Sequence, residues 1–117
     1  MPLLLHVQHG RITGEHNLAP GVTRIGRALD NDICLDDSTV SGRHSTITVM
    51  PSAYLEGTYD VFVDDLQSTN GTQVNGQPVQ RHRLHNEDIL RIGSHEFKFV
   101  TRHDTLAAST RLLLGGD

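Results

Sequence analysis

The chain has 117 residues and a formal net charge of −4. That length holds one domain, and the longest apolar runs, Leu3-Leu4-Leu5 and Leu112-Leu113-Leu114, fall far short of the ~20 residues of a membrane span. The acidic balance argues against a nucleic-acid partner, and a single cysteine, Cys34, excludes a disulfide framework or a Cys-rich metal site.

The chain order reads as short strands. Leu3, Leu5 and Val7 alternate with Leu4, His6 and Gln8, and Val22-Thr23-Arg24-Ile25 runs into Gly26. Ile33 and Leu35 flank Cys34, which is expected to be a buried, inert thiol. Ile47 and Val49, then Tyr59, Val61 and Val63, alternate with polar neighbours, and Pro51 stops the first of these runs. Asn75-Gly76 lies between Thr72-Gln73-Val74 and Pro78-Val79, and Asn-Gly accepts the two positive φ angles of a type I′ hairpin turn. Leu90 and Ile92, then Phe97 and Phe99, close the series. Period-two alternation between turn residues, with eleven glycines in the chain, predicts an all-β protein: a two-sheet β-sandwich of about eleven short strands, with ligand loops at one end. Residues 1–101 form this domain. Residues 102–117 read as a flexible tail or linker start, with Asp104 able to cap a short, isolated helix through Leu114.

Four polar clusters fall between the strands: Gly26-Arg27; Ser41-Gly42-Arg43-His44; Ser68-Thr69-Asn70-Gly71-Thr72; and Asn75-Gly76. Arg27 and Arg43 offer planar forks of donors, Ser41 and Thr69 offer hydroxyls, and Gly42 and Gly71 let backbone N–H groups approach a ligand. Asn70 supplies both a donor and an acceptor. This inventory suits a dianionic phosphate with an adjacent peptide backbone, and it needs neither base nor nucleophile.

The ordered set Thr23-Arg24-Ile25-Gly26-Arg27, Val40-Ser41-Gly42-Arg43-His44, Asp65 to Thr72, Val74-Asn75-Gly76 and Ile89 to Gly93 resembles the forkhead-associated (FHA) domain, from about Leu3 to Val100. The resemblance implies a sandwich whose end loops bind phosphothreonine peptides, serving as an adaptor in Ser/Thr kinase signalling. It carries the phosphate contacts onto Arg27, Ser41 and Thr69, and the peptide-backbone contact onto Asn70. Gly26 and His44 match positions that shape the loops, and Gly71, Asn75 and Gly76 are grouped with them. One departure stands. The family often carries Arg or Asn directly after the serine, where this chain has Gly42, with Arg43 one position later.

Two other classes compete. A phosphate-independent interaction sandwich would bind through exposed apolar side chains, with Phe62 and Val100 as candidates. A small hydrolase would pair Ser41 with His44, but no strand-turn-helix elbow surrounds the serine. No cofactor is expected. No metal is expected either: His6 and His9, like His82 and His85, are three apart, and on a strand such positions point to opposite faces unless a turn intervenes. The opening MPLLLHVQHG lacks the basic n-region of a signal peptide, so a cytoplasmic location without membrane insertion is expected. Thr105 and Thr110, if phosphorylated, would be ligands for the same loops in a neighbouring molecule, a route to self-association through the tail.

Overall fold

A computed structural model describes residues 2–101; the tail, with its expected short helix and its two threonines, lies outside the described residues. The described chain is all β. Its strands are β1 (Pro2–Gln8), β2 (Arg11–Asn17), β3 (Gly21–Gly26), β4 (Ile33–Cys34), β5 (Ser45–Pro51), β6 (Tyr59–Asp65), β7 (Thr72–Val74), β8 (Gln77–Val79), β9 (Arg81–Arg83), β10 (Ile89–Ile92) and β11 (His95–Thr101). They form a six-stranded sheet in the order β2-β1-β11-β10-β7-β8 and a five-stranded sheet in the order β4-β3-β5-β6-β9.

The core lies between the sheets. Leu4, Leu90, Phe97 and Phe99 come from the larger sheet and Ile25, Ile47 and Val63 from the smaller one, all fully buried. Each large apolar side chain so enclosed gains roughly 1.5–3 kcal/mol over exposure. With few aromatics, the two phenylalanines two residues apart on β11 supply the bulk at the centre of the six-stranded sheet.

Asn75 and Gly76, with φ of 52° and 82°, turn β7 into β8 as a type I′ hairpin, with Val74 paired to Gln77. Pro78 sits on the edge strand of its sheet, where a missing N–H costs no ladder bond. A second hairpin of the same kind joins β1 to β2 through His9 (φ 52°) and Gly10 (φ 75°).

One expectation is corrected. Cys34 is exposed, because Ile33 and Leu35 take the inward positions and the residue between them turns outward. Its thiol reaches the Arg27 carbonyl at 3.4 Å. On β1, Leu4 is fully buried in the core cluster, and His6, on the same face, stacks on Phe97 with ring centroids 4.6 Å apart.

Candidate functional site

Three of the four polar clusters meet at one end of the sandwich. The β3–β4 loop, the β4–β5 loop and the β6–β7 loop are tied together through Ser41. Its carbonyl accepts the Arg27 backbone N–H at 2.9 Å, and its hydroxyl accepts the Thr69 backbone N–H at 3.0 Å. The fourth cluster is elsewhere. Gly71 precedes β7 and Asn75 follows it, so three extended residues, about 10 Å of chain, separate the two turns.

Beneath the loops lies His44, fully buried. Its Nδ1 accepts the Ser41 backbone N–H at 3.0 Å, and its Nε2 therefore carries the proton donated to the Gly71 carbonyl at 2.8 Å. Its own backbone bridges as well, donating to the Ile25 carbonyl and accepting from Leu66. One imidazole thus fixes the spacing of the two loops that carry Ser41 and Thr69. The same geometry removes the hydrolase arrangement: the His44 ring meets the Ser41 backbone, while the Ser41 hydroxyl is turned to Thr69.

Gly26 sits where backbones nearly touch. A Cβ at this position would stand 2.2 Å from the Gly42 carbonyl oxygen. That carbonyl accepts Ala28 N–H at 3.1 Å and the Asn31 side-chain amide at 2.7 Å. Gly42 itself faces open space at its Cβ position.

Arg27 is exposed, and its acidic neighbours are engaged elsewhere. Asp30 pairs with Arg43 at 2.7 Å, and Asp32 accepts the Arg24 backbone N–H at 2.8 Å. Among the described residues no carboxylate pairs with the Arg27 guanidinium. Arg43 is instead held on Asp30, whose carboxyl is kept below its usual range by that hydrogen bond and by the charge behind it.

The β6–β7 loop is braced from below by a polar network that the sequence alone did not reveal. Asp65 accepts the Ser68 hydroxyl at 2.5 Å and the buried Thr72 hydroxyl at 2.7 Å, and Thr72 shares a 2.7 Å bond with buried Ser45. Burial pushes the Asp65 carboxyl up, but the Ser68 and Thr72 hydroxyls and the Ser68 N–H together hold it below the ordinary value. The Ser68 hydroxyl accepts the Gly71 N–H at 2.9 Å, closing the turn in which Gly71 has φ of 82°.

The Asn70 side chain donates to the Thr39 carbonyl at 2.9 Å, crossing to the β4–β5 loop. Thr39 is pinned by Asp37, which accepts its N–H at 2.8 Å and its hydroxyl at 2.6 Å. Asp37 also accepts the Ser94 hydroxyl and lies 3.2 Å from His95 Nε2. The hydrogen bonds from Ser94 and Thr39 hold its carboxyl well below the usual carboxylate range. Gly93, at φ 59°, leaves room for this contact, since a Cβ there would meet the Thr39 hydroxyl at 2.6 Å. Two exposed leucines, Leu29 and Leu66, stand on the same loops as Arg27 and Thr69. Asn31 and Asp37 were not singled out from sequence, and Asp65 and Thr72 stood within the third motif without a bracing role assigned to them. The sequence signal for Asn31 and Asp37 is that each lies four residues from a recognised cluster.

A β-sandwich that gathers an exposed arginine, two hydroxyl residues and an asparagine on braced loops defines a loop-borne recognition module. The FHA domain family model matches residues 23–93, and the chain belongs to the FHA domain family. It is 42% identical over 91 residues to an ABC transporter ATP-binding/permease protein of Mycobacterium tuberculosis, a match covering 78% of this chain and 10% of that protein. It is 37% identical over 99 residues to the glycogen accumulation regulator GarA of Mycobacterium tuberculosis, covering 84% of this chain and 57% of that one. The chain therefore spans less than two thirds of the length of these relatives. A solved structure from a structural and functional analysis of phosphothreonine-dependent FHA domain interactions superposes with a TM-score of 0.72 at 33% identity, covering 87% of this chain and 97% of that one. Among the described residues no helix is long and apolar enough to cross a membrane.

Proposed function

We propose that this chain is a phosphothreonine-dependent protein–protein interaction module that serves as a cytoplasmic adaptor in Ser/Thr kinase signalling. It acts by binding and catalyses nothing. The observation that carries this reading is that Ser41, Thr69 and the exposed Arg27 stand on three loops joined through Ser41, with the Ser41 and Thr69 loops fixed from beneath by His44. Arg27 meets the phosphate with a charge that no described carboxylate satisfies, and the Ser41 and Thr69 hydroxyls add hydrogen bonds at its flank. Asn70, whose amide reaches across to Thr39, would share that amide with the peptide backbone.

Arg43 contributes differently. In the protein without ligand it belongs to Asp30, so a phosphate recruits it only by competing with that exposed pair. Gly42 offers its backbone alone. Leu29 and Leu66 would touch the side chains flanking the phosphothreonine.

The alternative of phosphate-independent binding through Phe62 or Val100 is disfavoured. Both are partly buried, and the Arg81 guanidinium covers the Phe62 ring at 4.5 Å from its centroid. Thr105 and Thr110, once phosphorylated, would be ligands for the same loops in a second copy, and light scattering of protein phosphorylated at either position reads this as a change from monomer to larger species. The test of the main reading is a phosphothreonine peptide array with matched unphosphorylated peptides. Binding confined to the phosphorylated set supports it, and equal binding to both sets overturns it.

A further inference from the structure

At the end of the sandwich away from the phosphate loops, the structure brings together His82, His85 and Asp88, whose ligand atoms all lie within 4.8 Å of one another. From the geometry of these three groups we infer a binding site for a divalent transition-metal ion, zinc being the best match to two imidazoles and one carboxylate.

His82 and His85 are three apart, a spacing that would send their side chains to opposite faces of one strand. The strand ends between them. β9 stops at Arg83, Leu84 turns into the core with its N–H on the Val61 carbonyl, and His85 opens a turn closed by the Asp88 N–H on its carbonyl. That turn passes through Glu87 at φ 73°, a left-handed conformation that a residue with a Cβ adopts rarely.

The Asp88 carboxylate is only 13% exposed and is oriented by other groups. Its Oδ1 accepts the Asn75 side-chain amide at 3.0 Å, and its Oδ2 accepts the His85 backbone N–H at 2.7 Å. Asn75 is itself held, accepting the Ile89 N–H at 2.9 Å. A carboxylate fixed by such outer contacts is what a metal ligand needs if it is to present one oxygen in one direction.

Both imidazoles turn a nitrogen toward that oxygen, yet neither reaches it. His82 Nε2 stands 3.8 Å and His85 Nδ1 3.9 Å from Asp88 Oδ2. A hydrogen-bonded ion pair closes to about 2.7–3.2 Å. Ligands held about 2.0–2.2 Å from a tetrahedral zinc stand about 3.4 Å from each other. The three groups thus converge around a gap of ionic size rather than on one another. Closing from 3.8 and 3.9 Å, and from within 4.8 Å between the two imidazoles, needs swings of the two rings, which are partly or largely exposed, while the mostly covered carboxylate stays in place. The side open to water leaves a fourth position for a water molecule or a ligand from another chain. Cys34 plays no part, since β4 and the His82-bearing β9 are the opposite edges of the five-stranded sheet and Cys34 lies at the phosphate-loop end.

The experiment is isothermal titration of zinc chloride into the full 117-residue chain, free of any tag, with X-ray absorption at the zinc edge. The expected result is one zinc ion per chain, a melting temperature raised by zinc, and a first shell of nitrogen and oxygen without sulfur. His85→Ala and Asp88→Asn should each lower zinc affinity at least tenfold. His85→Ala replaces an exposed side chain, so it should leave the metal-free melting temperature close to that of the parent and serves as the control for folding. The inference is overturned by the absence of a saturable site, by an affinity that neither substitution changes, or by sulfur in the first shell.

Discussion

The Ser41 hydroxyl accepts the Thr69 backbone N–H at 3.0 Å, so a side chain assigned to the phosphate also joins two of the three recognition loops. Ser41→Ala should therefore show two effects. The free protein should lose no more than about 1 kcal/mol, because the released N–H is on an exposed residue and water replaces its partner. Phosphopeptide affinity should fall by about 1.5–3 kcal/mol, the range for a hydrogen bond to a charged group. Thermal melts and calorimetry on the same variant separate the two. A large loss of stability with unchanged affinity would reverse the assignment.

His44 should behave in the opposite sense. His44→Ala empties a fully buried site and strands the Ser41 N–H and the Gly71 carbonyl. A cavity and two unmet polar groups together should cost roughly 3 kcal/mol or more. Denaturant unfolding measures it, and a loss under about 1 kcal/mol would show that the ring is not the brace between the loops.

The two glycines at the β3–β4 and β4–β5 loops should differ sharply. Gly26→Ala drives a Cβ to 2.2 Å from the Gly42 carbonyl oxygen, and backbone must move. The expected destabilisation is about 1–3 kcal/mol. Gly42→Asn points into open space and should fold with a melting temperature near that of the parent. It also restores the side chain that the family often carries at this position, so phosphopeptide affinity should rise. A Gly42→Asn protein that folds normally and binds no better would show that Arg43 already fills that role.

Stability should fall with acid from two sources. Burial holds His16 below the ordinary histidine value, and burial with the charges of His95 and His16 does the same to His6. Below pH ~6.5 the unfolded chain then binds protons that the folded chain resists, so stability drops as pH falls. The depressed Asp37 and Asp65 carboxyls contribute stability that is present above their unfolded value near pH ~4 and lost as pH falls through their lower folded values. Melting curves at about pH 7.5 and about pH 5.5 isolate the histidine part. The drop between them should be smaller in a His6→Gln, His16→Gln double variant, and an equal drop would assign the effect to other groups.

How much of this was legible in the sequence depends on which physical signal each element carries. The β7–β8 hairpin was readable because Asn75-Gly76 is the usual dipeptide for two positive φ angles. The β1–β2 hairpin makes the same turn with His9-Gly10, a pair with no such signature, and β2 shows no alternation because it is an edge strand with only Ile12 as a large hydrophobe. β9 was hidden for a related reason: Arg81, His82 and Arg83 form a charged edge strand of three residues. The exposure of Cys34 was available from the period of two and was overridden by its apolar neighbours. The site residues stood out by type and spacing. Their supports did not, because Ser45 and Asp65 meet through the pairing of β5 and β6 while Thr72 reaches them from β7 in the facing sheet, which no local pattern encodes. The convergence of His82 and His85 depends likewise on where β9 ends.

The most direct measurement is calorimetric titration of one threonine peptide, phosphorylated and unphosphorylated, into the parent protein and Arg27→Ala. The expected outcome is binding of the phosphorylated peptide alone, weakened by about 2–5 kcal/mol when Arg27 is removed, because the phosphate then loses its charged partner. Equal affinity of the two peptides for the parent, or equal affinity of the phosphopeptide for parent and Arg27→Ala, would contradict it.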